Sequence, residues 1–319
     1  MTLQGGWTMP VSGKSLKKLS RSLFVPWVGL FCLAFCLSSE VAADKLFFYR
    51  FGVFHIAYSL QGEDAVAPDD MNTNGIPDQV ENIAVQLMAA REVFHDVLGF
   101  PDPLSSEHYS QTEGVIVWLR SRSRMRGNRG LAFSVASPSR HFSGKWLKLQ
   151  ISTDINPRRN PTPAHEYFHL IQYSQANFKN AWYLEGMARW SEDLVQRVPV
   201  ARKKNDLSPE KIWESKYRAN DMLWRPLAET CGRRAGISPE LLQKYHYVDG
   251  SPVFHDAWVS GPQVMVDILF CLKRKEKEAA ASEDLEVWRK KQQRNPANNP
   301  LIFDCVRDVQ SACEEKAHK

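Results

Sequence analysis

Residues 163–172 read Pro163-Ala164-His165-Glu166-Tyr167-Phe168-His169-Leu170-Ile171-Gln172, and Glu185 follows His169 by 16 positions within Trp182-Tyr183-Leu184-Glu185-Gly186-Met187-Ala188-Arg189-Trp190-Ser191-Glu192. Thr162 and Pro163 supply an N-cap and a first-turn proline, so a helix of about a dozen residues is expected to open there. His165 and His169 are four apart and leave the same face of it. Two neutral imidazoles on one face can grip zinc. Glu166, one position on, can activate a zinc-bound water and pass its proton to a leaving amine. Ala164, Phe168 and Ile171 form a separate apolar stripe that anchors the helix in a core. A second helix is expected over Ala181 to Val195. Its buried stripe is Leu184, Met187, Ala188, Ser191, Leu194 and Val195, with Glu185 beside it. Gly186 and Ala188 are small enough for close packing of this helix on the first. A carboxylate at Glu185 completes a His-His-Glu set and leaves a fourth position open. A metzincin would carry Gly and His at positions 172 and 175; Gln172 and Gln175 stand there instead, which excludes that class.

Upstream, Asp70-Met71-Asn72-Thr73-Asn74-Gly75-Ile76-Pro77-Asp78-Gln79-Val80-Glu81 fits the loop of an EF-hand at every diagnostic position. Asp70, Asn72 and Asn74 open it, Gly75 makes the sharp turn, and the Ile76 carbonyl, Asp78 and Glu81 complete it. Alternating residues in a tight loop aim hard oxygens at one centre, which suits Ca²⁺. A helix leaves this loop but none enters it, so an EF-hand pair is not expected. Two asparagines among the ligands favour a weak structural ion over a sensor. The plainer alternative is an Asp/Asn/Gly turn that caps the next helix.

Working outward, Lys45 to Leu60 reads as one or two strands, followed by a Gly/Asp/Asn/Pro loop over 61–79. Val80, Ile83, Ala84, Leu87, Ala90, Phe94 and Val97 recur at helical spacing until Gly99 and Pro101. Gly114 to Leu119 and Trp146 to Ser152 read as strands. Pro209 to Lys291 reads as helices broken near Gly232–Gly236 and Gly250–Pro252. Strands first and helices later argue for an α+β fold. Three segments are expected: a leader over 1–43, a sheet with the calcium-type loop and both site helices over 44–200, and a mainly helical part over 201–319.

The 319 residues are 43% hydrophobic and 24% charged, which excludes a disordered chain and a coiled coil. Lys14, Lys17, Lys18 and Arg21 precede an almost unbroken apolar run from Leu23 to Leu37, and Val41-Ala42-Ala43 supplies small residues for a signal peptidase. The run is short for a spanning helix and Pro26 interrupts it, so cleavage near Ala43 is expected rather than an anchor. The chain would then be exported, either secreted or held in the periplasm or cell envelope, with no stable membrane association. Beyond the leader, bases exceed acids by about two, which is too balanced for a nucleic-acid partner. Arg120, Arg122, Arg124, Arg126 and Arg129 read as a solvated loop between strands. Cys231, Cys271, Cys305 and Cys313 remain after the leader, an even number that suggests two disulfides. Three pairings are possible. Cys305 with Cys313 is the local one, and Cys271 reads equally well as a buried thiol.

HEYFHLIQ followed by WYLEGMARWSED resembles the gluzincin clan of zinc metallopeptidases. With the Asp70–Glu81 loop and its helix upstream, the chain is similar to a group of exported bacterial metalloproteases. The likeness runs from about Phe51 to Val195. It implies a thermolysin-like layout: a small sheet whose edge strand binds substrate, a helix carrying HExxH, and a helical C-terminal part. It assigns zinc to His165, His169 and Glu185, and the base to Glu166. The thermolysin subgroup has an Asp four residues after the ligand Glu. Arg189 stands there, so Glu192 or Asp193 is expected to orient a ligand histidine instead. Tyr217 is the first candidate to stabilise the oxyanion, with His246 and Tyr247 as rivals. Trp146 to Ser152 is the expected substrate strand, pairing with a protein or peptide through its backbone. The implied function is peptide-bond hydrolysis with zinc, plus a structural calcium. The alternative is an exported, calcium- and zinc-stabilised binding protein of the same fold without turnover. A third reading is a membrane-anchored peptidase at the cell envelope. Substrate, cleavage preference and oligomeric state are not encoded in any motif.

Overall fold

The residues after Lys45 are rich in aromatic side chains, which favours strands at the start of the fold. The computed structural model describes residues 45–196, 208–282 and 287–317, with side chains to 315; the leader, cleavage site and 197–207 boundary expected from the sequence lie outside these. Leu46–Phe51 (β1) and Phe54–Ser59 (β2) form a hairpin turning at Gly52. The loop 61–77 leads into Asp78–Glu92 (α1), which continues as a π turn to Val97. Thr112–Arg120 (β3), Gly130–Pro138 (β4) and Lys145–Ser152 (β5) complete a five-stranded mixed sheet in the order β1-β2-β3-β5-β4. The central β2-β3 and β3-β5 pairs are parallel, and both outer pairs are antiparallel.

The expected substrate strand is therefore corrected. Trp146 to Ser152 lies inside the sheet between β3 and β4, and β4, for which no strand is expected from the sequence, is the edge. Burial explains the placement: Leu147, Leu149 and Ile151 are fully buried, as an interior strand requires, while residues along β4 are half-exposed.

Thr162–Gln175 (α2) crosses the sheet beside β4 and packs on α1, and Ala181–Ser191 (α3) packs against α2. Ala164, Phe168 and Ile171 are fully buried, as are Met187 and Ala188 of the expected α3 stripe. Thr162 is not the cap expected of it. It is the first helical residue, and the Asn160 side chain accepts from both its backbone N–H at 2.9 Å and its hydroxyl at 2.5 Å. Gly186 does not face α2. A Cβ there would sit 2.6 Å from the Trp224 indole nitrogen and 2.8 Å from the Ala219 methyl, so the glycine admits the following segment instead.

That segment comprises Pro209–Glu214 (α4), a π turn over Asn220–Trp224 and Arg225–Cys231 (α5). Arg234–Gly236 (β6) pairs antiparallel with Trp258–Ser260 (β7), flanking Pro239–Lys244 (α6). This small second sheet was not legible as strand. Pro262–Ser282 (α7), Lys290–Gln293 (α8) and Asn298–Ala317 (α9) follow. The fold is α+β.

The local Cys305–Cys313 pairing and the buried Cys271 thiol are both overturned: Cys231 pairs with Cys313 and Cys271 with Cys305. Cys305 and Cys313 lie on one helix, where eight residues rise about 12 Å, far beyond the reach of a disulfide. The two bonds tie α9 to α5 and α7. Among the described residues no helix is long and apolar enough to cross a membrane.

Candidate metal centre

α2 carries His165, Glu166 and His169, of which His165 and Glu166 line a cleft, and α3 brings Glu185 against the two histidines. The imidazole and carboxylate donor atoms of His165, His169 and Glu185 all lie within 4.8 Å of one another. His165 Nε2 is 3.4 Å and His169 Nε2 3.8 Å from Glu185 Oε2. Ligands ~2.0–2.1 Å from a tetrahedral ion sit about 3.4 Å apart, so these three atoms fit as one face of such a site.

The far nitrogen of each ring is also held. His165 Nδ1 lies 2.8 Å from Glu192 Oε1, and His169 Nδ1 lies 2.7 Å from Gln172 Oε1. The Gln172 amide nitrogen donates to the Leu184 carbonyl at 3.2 Å, which leaves its oxygen for the imidazole. Both Nδ1 atoms are therefore held by acceptors, and both Nε2 atoms face Glu185. Gln172 was read only as a mark against metzincins. Its position three residues after His169 was the signal that it could meet that ring. Glu192 takes the orienting role expected of it or Asp193. Asp193 instead faces Arg225 at 2.8 Å. Arg189 lies 3.5 Å from the second Glu192 oxygen.

The charges are mutually dependent. Burial opposes protonation of His165, but its hydrogen bonds to Glu185 and Glu192 outweigh this and push its pKa up to about 10. Burial likewise opposes ionisation of Glu185, yet the two histidines hold its carboxyl far below the usual range. Burial raises the Glu166 carboxyl, and the neighbouring histidines offset only part of that rise. Without a metal, His165 is thus cationic at neutral pH and must lose a proton to become a ligand. Metal binding at pH 7 is expected to release about one proton, and affinity should climb about tenfold per pH unit until pH nears the His165 pKa. Calorimetry in two buffers of different ionisation enthalpy reads the proton count directly. Glu192→Ala, which frees His165 to rotate, should weaken metal binding by roughly 10–100-fold, measured by competition with a chromogenic chelator.

Four further residues shape the site. A Cβ on Gly130, at the start of β4, would lie 2.4 Å from Glu166 Oε1, so the edge strand approaches the carboxylate as closely as glycine permits. Lys216 Nζ is 3.6 Å from Glu185 Oε1. Tyr217 lies with its ring 6.2 Å from the His165 ring and lines the same cleft of 490 Å³. Burial, then Glu185, pushes its phenol up, so it remains a hydrogen-bond donor. Gln86 of α1, fully buried, donates to the Pro157 and Asn160 carbonyls and accepts from the Ala164 N–H, fixing the turn into α2. The structure places His246 elsewhere: it is exposed and bridges Pro252. The Tyr247 hydroxyl is taken up by Gln86 and Pro157.

The Asp70–Glu81 loop closes on itself. Asp70 accepts from the Asn74 and Gly75 N–H groups, Asp78 from the Met71 N–H and the Asn74 side-chain Oδ1 from the Ile76 N–H. The Asn72 and Asn74 amides reach the two Glu81 oxygens at 3.0 and 2.8 Å. Gly75 has φ +83°, the conformation the turn demands. Gln79, in the first turn of α1, donates to the Thr153 and Ile155 carbonyls. Of the five arginines, Arg120 ends β3 and pairs with Asp64, as does Arg124, and Arg129 reaches the cleft.

No family model matches this chain, and neither a curated protein nor a solved structure is significantly similar to it.

Proposed function

We propose that this chain is an exported zinc metallopeptidase of gluzincin type, with a thermolysin-like layout around α2. The observation that supports it most is the paired orientation of the histidines. Glu192 and Gln172 each hold an Nδ1, so both Nε2 atoms converge with Glu185 while Glu166 stands beside them at the cleft. A binding protein needs the ligands but has no use for Glu166.

His165, His169 and Glu185 would hold the ion, and a zinc ion there supplies Lewis-acid polarisation of water and carbonyl oxygen. The raised Glu166 carboxyl takes the proton of the attacking water and gives it to the leaving amine nitrogen, so that the water adds across the C–N bond and both products leave neutral in sum. Tyr217, protonated, donates to the oxygen that becomes negative. An extended peptide pairs with the outer edge of β4, which carries no strand partner among the described residues and begins at Gly130 against Glu166. The Arg129, Arg159 and Tyr217 side chains border that path.

Two disulfides fit an oxidising compartment, which supports export. The Asp70–Glu81 loop holds calcium in this reading. For an extracellular-type affinity of ~10⁻⁴–10⁻³ M, 10 mM Ca²⁺ should stabilise the fold by about 1–3 kcal/mol, seen as a higher Tm than in EGTA.

The deciding experiment is digestion of a mixed peptide library by the zinc-loaded protein. New termini that vanish on chelation and return with zinc are expected. An intact library under all metal conditions, with zinc bound stoichiometrically, would sink the peptidase reading.

A further inference from the structure

The charges around the cleft point to what lies in it. Besides the Tyr217 phenol, six of its lining residues are ionisable: Arg129, Arg159, His165, Glu166, Arg189 and Glu192. Glu192 is committed to His165 and to Arg189, and Glu166 to the reacting proton. Arg129 and Arg159 remain. Both are exposed, and among the described residues neither makes an ion pair. They come from different elements. Arg129 immediately precedes Gly130 on the edge strand, and Arg159 ends the short turn before α2. The two guanidinium groups therefore border the point where β4 meets Glu166.

The positive field continues along the same strand. Lys179 Nζ donates to the Ser134 hydroxyl of β4 at 2.5 Å. Its ammonium also lies 5.1 Å from the centre of the Tyr173 ring, which stacks on His169. Burial, then the nearby Arg294 and Lys290, lowers its pKa to about 8. Unpaired guanidiniums beside a groove that accepts a backbone offer planar forks suited to carboxylates.

We propose that the cleft selects peptides carrying Asp or Glu side chains, with Arg129 and Arg159 gripping a carboxylate next to the scissile bond. This rests on the peptidase reading for the fate of the bound peptide, but not for its binding. Residues 129 and 159 act here as specificity determinants, outside the zinc set and the proton path.

The probe is a pair of labelled twelve-residue peptides, identical except for three Glu in one and three Gln in the other. Both are bound by anisotropy to the zinc-loaded Glu166→Gln protein and digested by the zinc-loaded wild type. The Glu peptide should bind about three- to tenfold more tightly at low salt, as expected for two exposed charge-assisted contacts. That advantage should shrink as ionic strength rises. In Arg129→Gln/Arg159→Gln the ratio should fall toward one, while far-ultraviolet circular dichroism and zinc content stay as in the parent. Equal affinity for both peptides, no binding of either, or a preference that survives in the double variant overturns the proposal. Preferential binding with neither peptide cut sinks the peptidase reading and leaves the acidic ligand standing. Cleavage of both at equal efficiency does the reverse.

Discussion

Glu166→Gln is expected to lower peptide hydrolysis by roughly 10²–10⁴-fold while leaving zinc bound at one equivalent. The reason is local. The amide has nearly the shape of the carboxylate, so the approach of Gly130 is not disturbed, but it cannot accept the proton of water. No ligand atom is touched: His165, His169 and Glu185 keep their geometry, and His165 keeps its contact with Glu192. The loss should fall on kcat rather than on KM, because Glu166 acts on the water and not on the resting peptide. Metal analysis and kinetics on one preparation check both halves. Retained activity would remove Glu166 from the proton path.

The second large effect concerns the far side of the molecule. Removing Cys271–Cys305 by a paired Cys→Ala change should destabilise the fold by about 2–5 kcal/mol. The bond closes a sequence separation of 34 residues, so its loss frees a long loop in the unfolded chain. Cys271 and Cys305 are both buried within the apolar core, so small voids add to the cost. Cys231–Cys313 closes a separation of 82 residues but has only half-buried ends, and its removal should cost less than loop length alone suggests. Chemical denaturation of the two variants, side by side in oxidising buffer, gives the order.

How much of this could be read from the chain varies with the physics involved. α2 and α3 were legible because apolar residues recur along them at helical spacing and the chemistry sits at fixed offsets on them. β1, β2, β3 and β5 were legible as apolar runs. β4 was not: Gly130-Leu131-Ala132-Phe133-Ser134-Val135 alternates weakly, and an edge strand lacks the apolar density that marks a central one. That same density made Trp146 to Ser152 visible and should have argued against an edge. The histidine partners divided likewise. Glu192 lay within reach of inference because a ligand imidazole needs a second acceptor. Arg129 and Arg159 gain their place only when β4 and the turn before α2 meet. The disulfide pairing depended on Cys305 and Cys313 sharing one helix, and on which helices lie beside it.

Gln86 carries a consequence for how freely this sequence can vary. It lies in the core of α1, far in sequence from every candidate ligand of the metal centre, yet its amide uses both ends. The nitrogen serves Pro157, Asn160 and Tyr247, and the oxygen serves Ala164. Glutamate has the shape but lacks the donors and would bury a charge. Leucine would leave the carbonyls and an N–H without partners, and asparagine is one methylene short. In a saturation screen scored on folded, metal-loaded protein, position 86 should tolerate as few residues as His165 does. The pattern of forbidden substitutions would then mark, as if it were part of the site, a residue that holds up the site from behind.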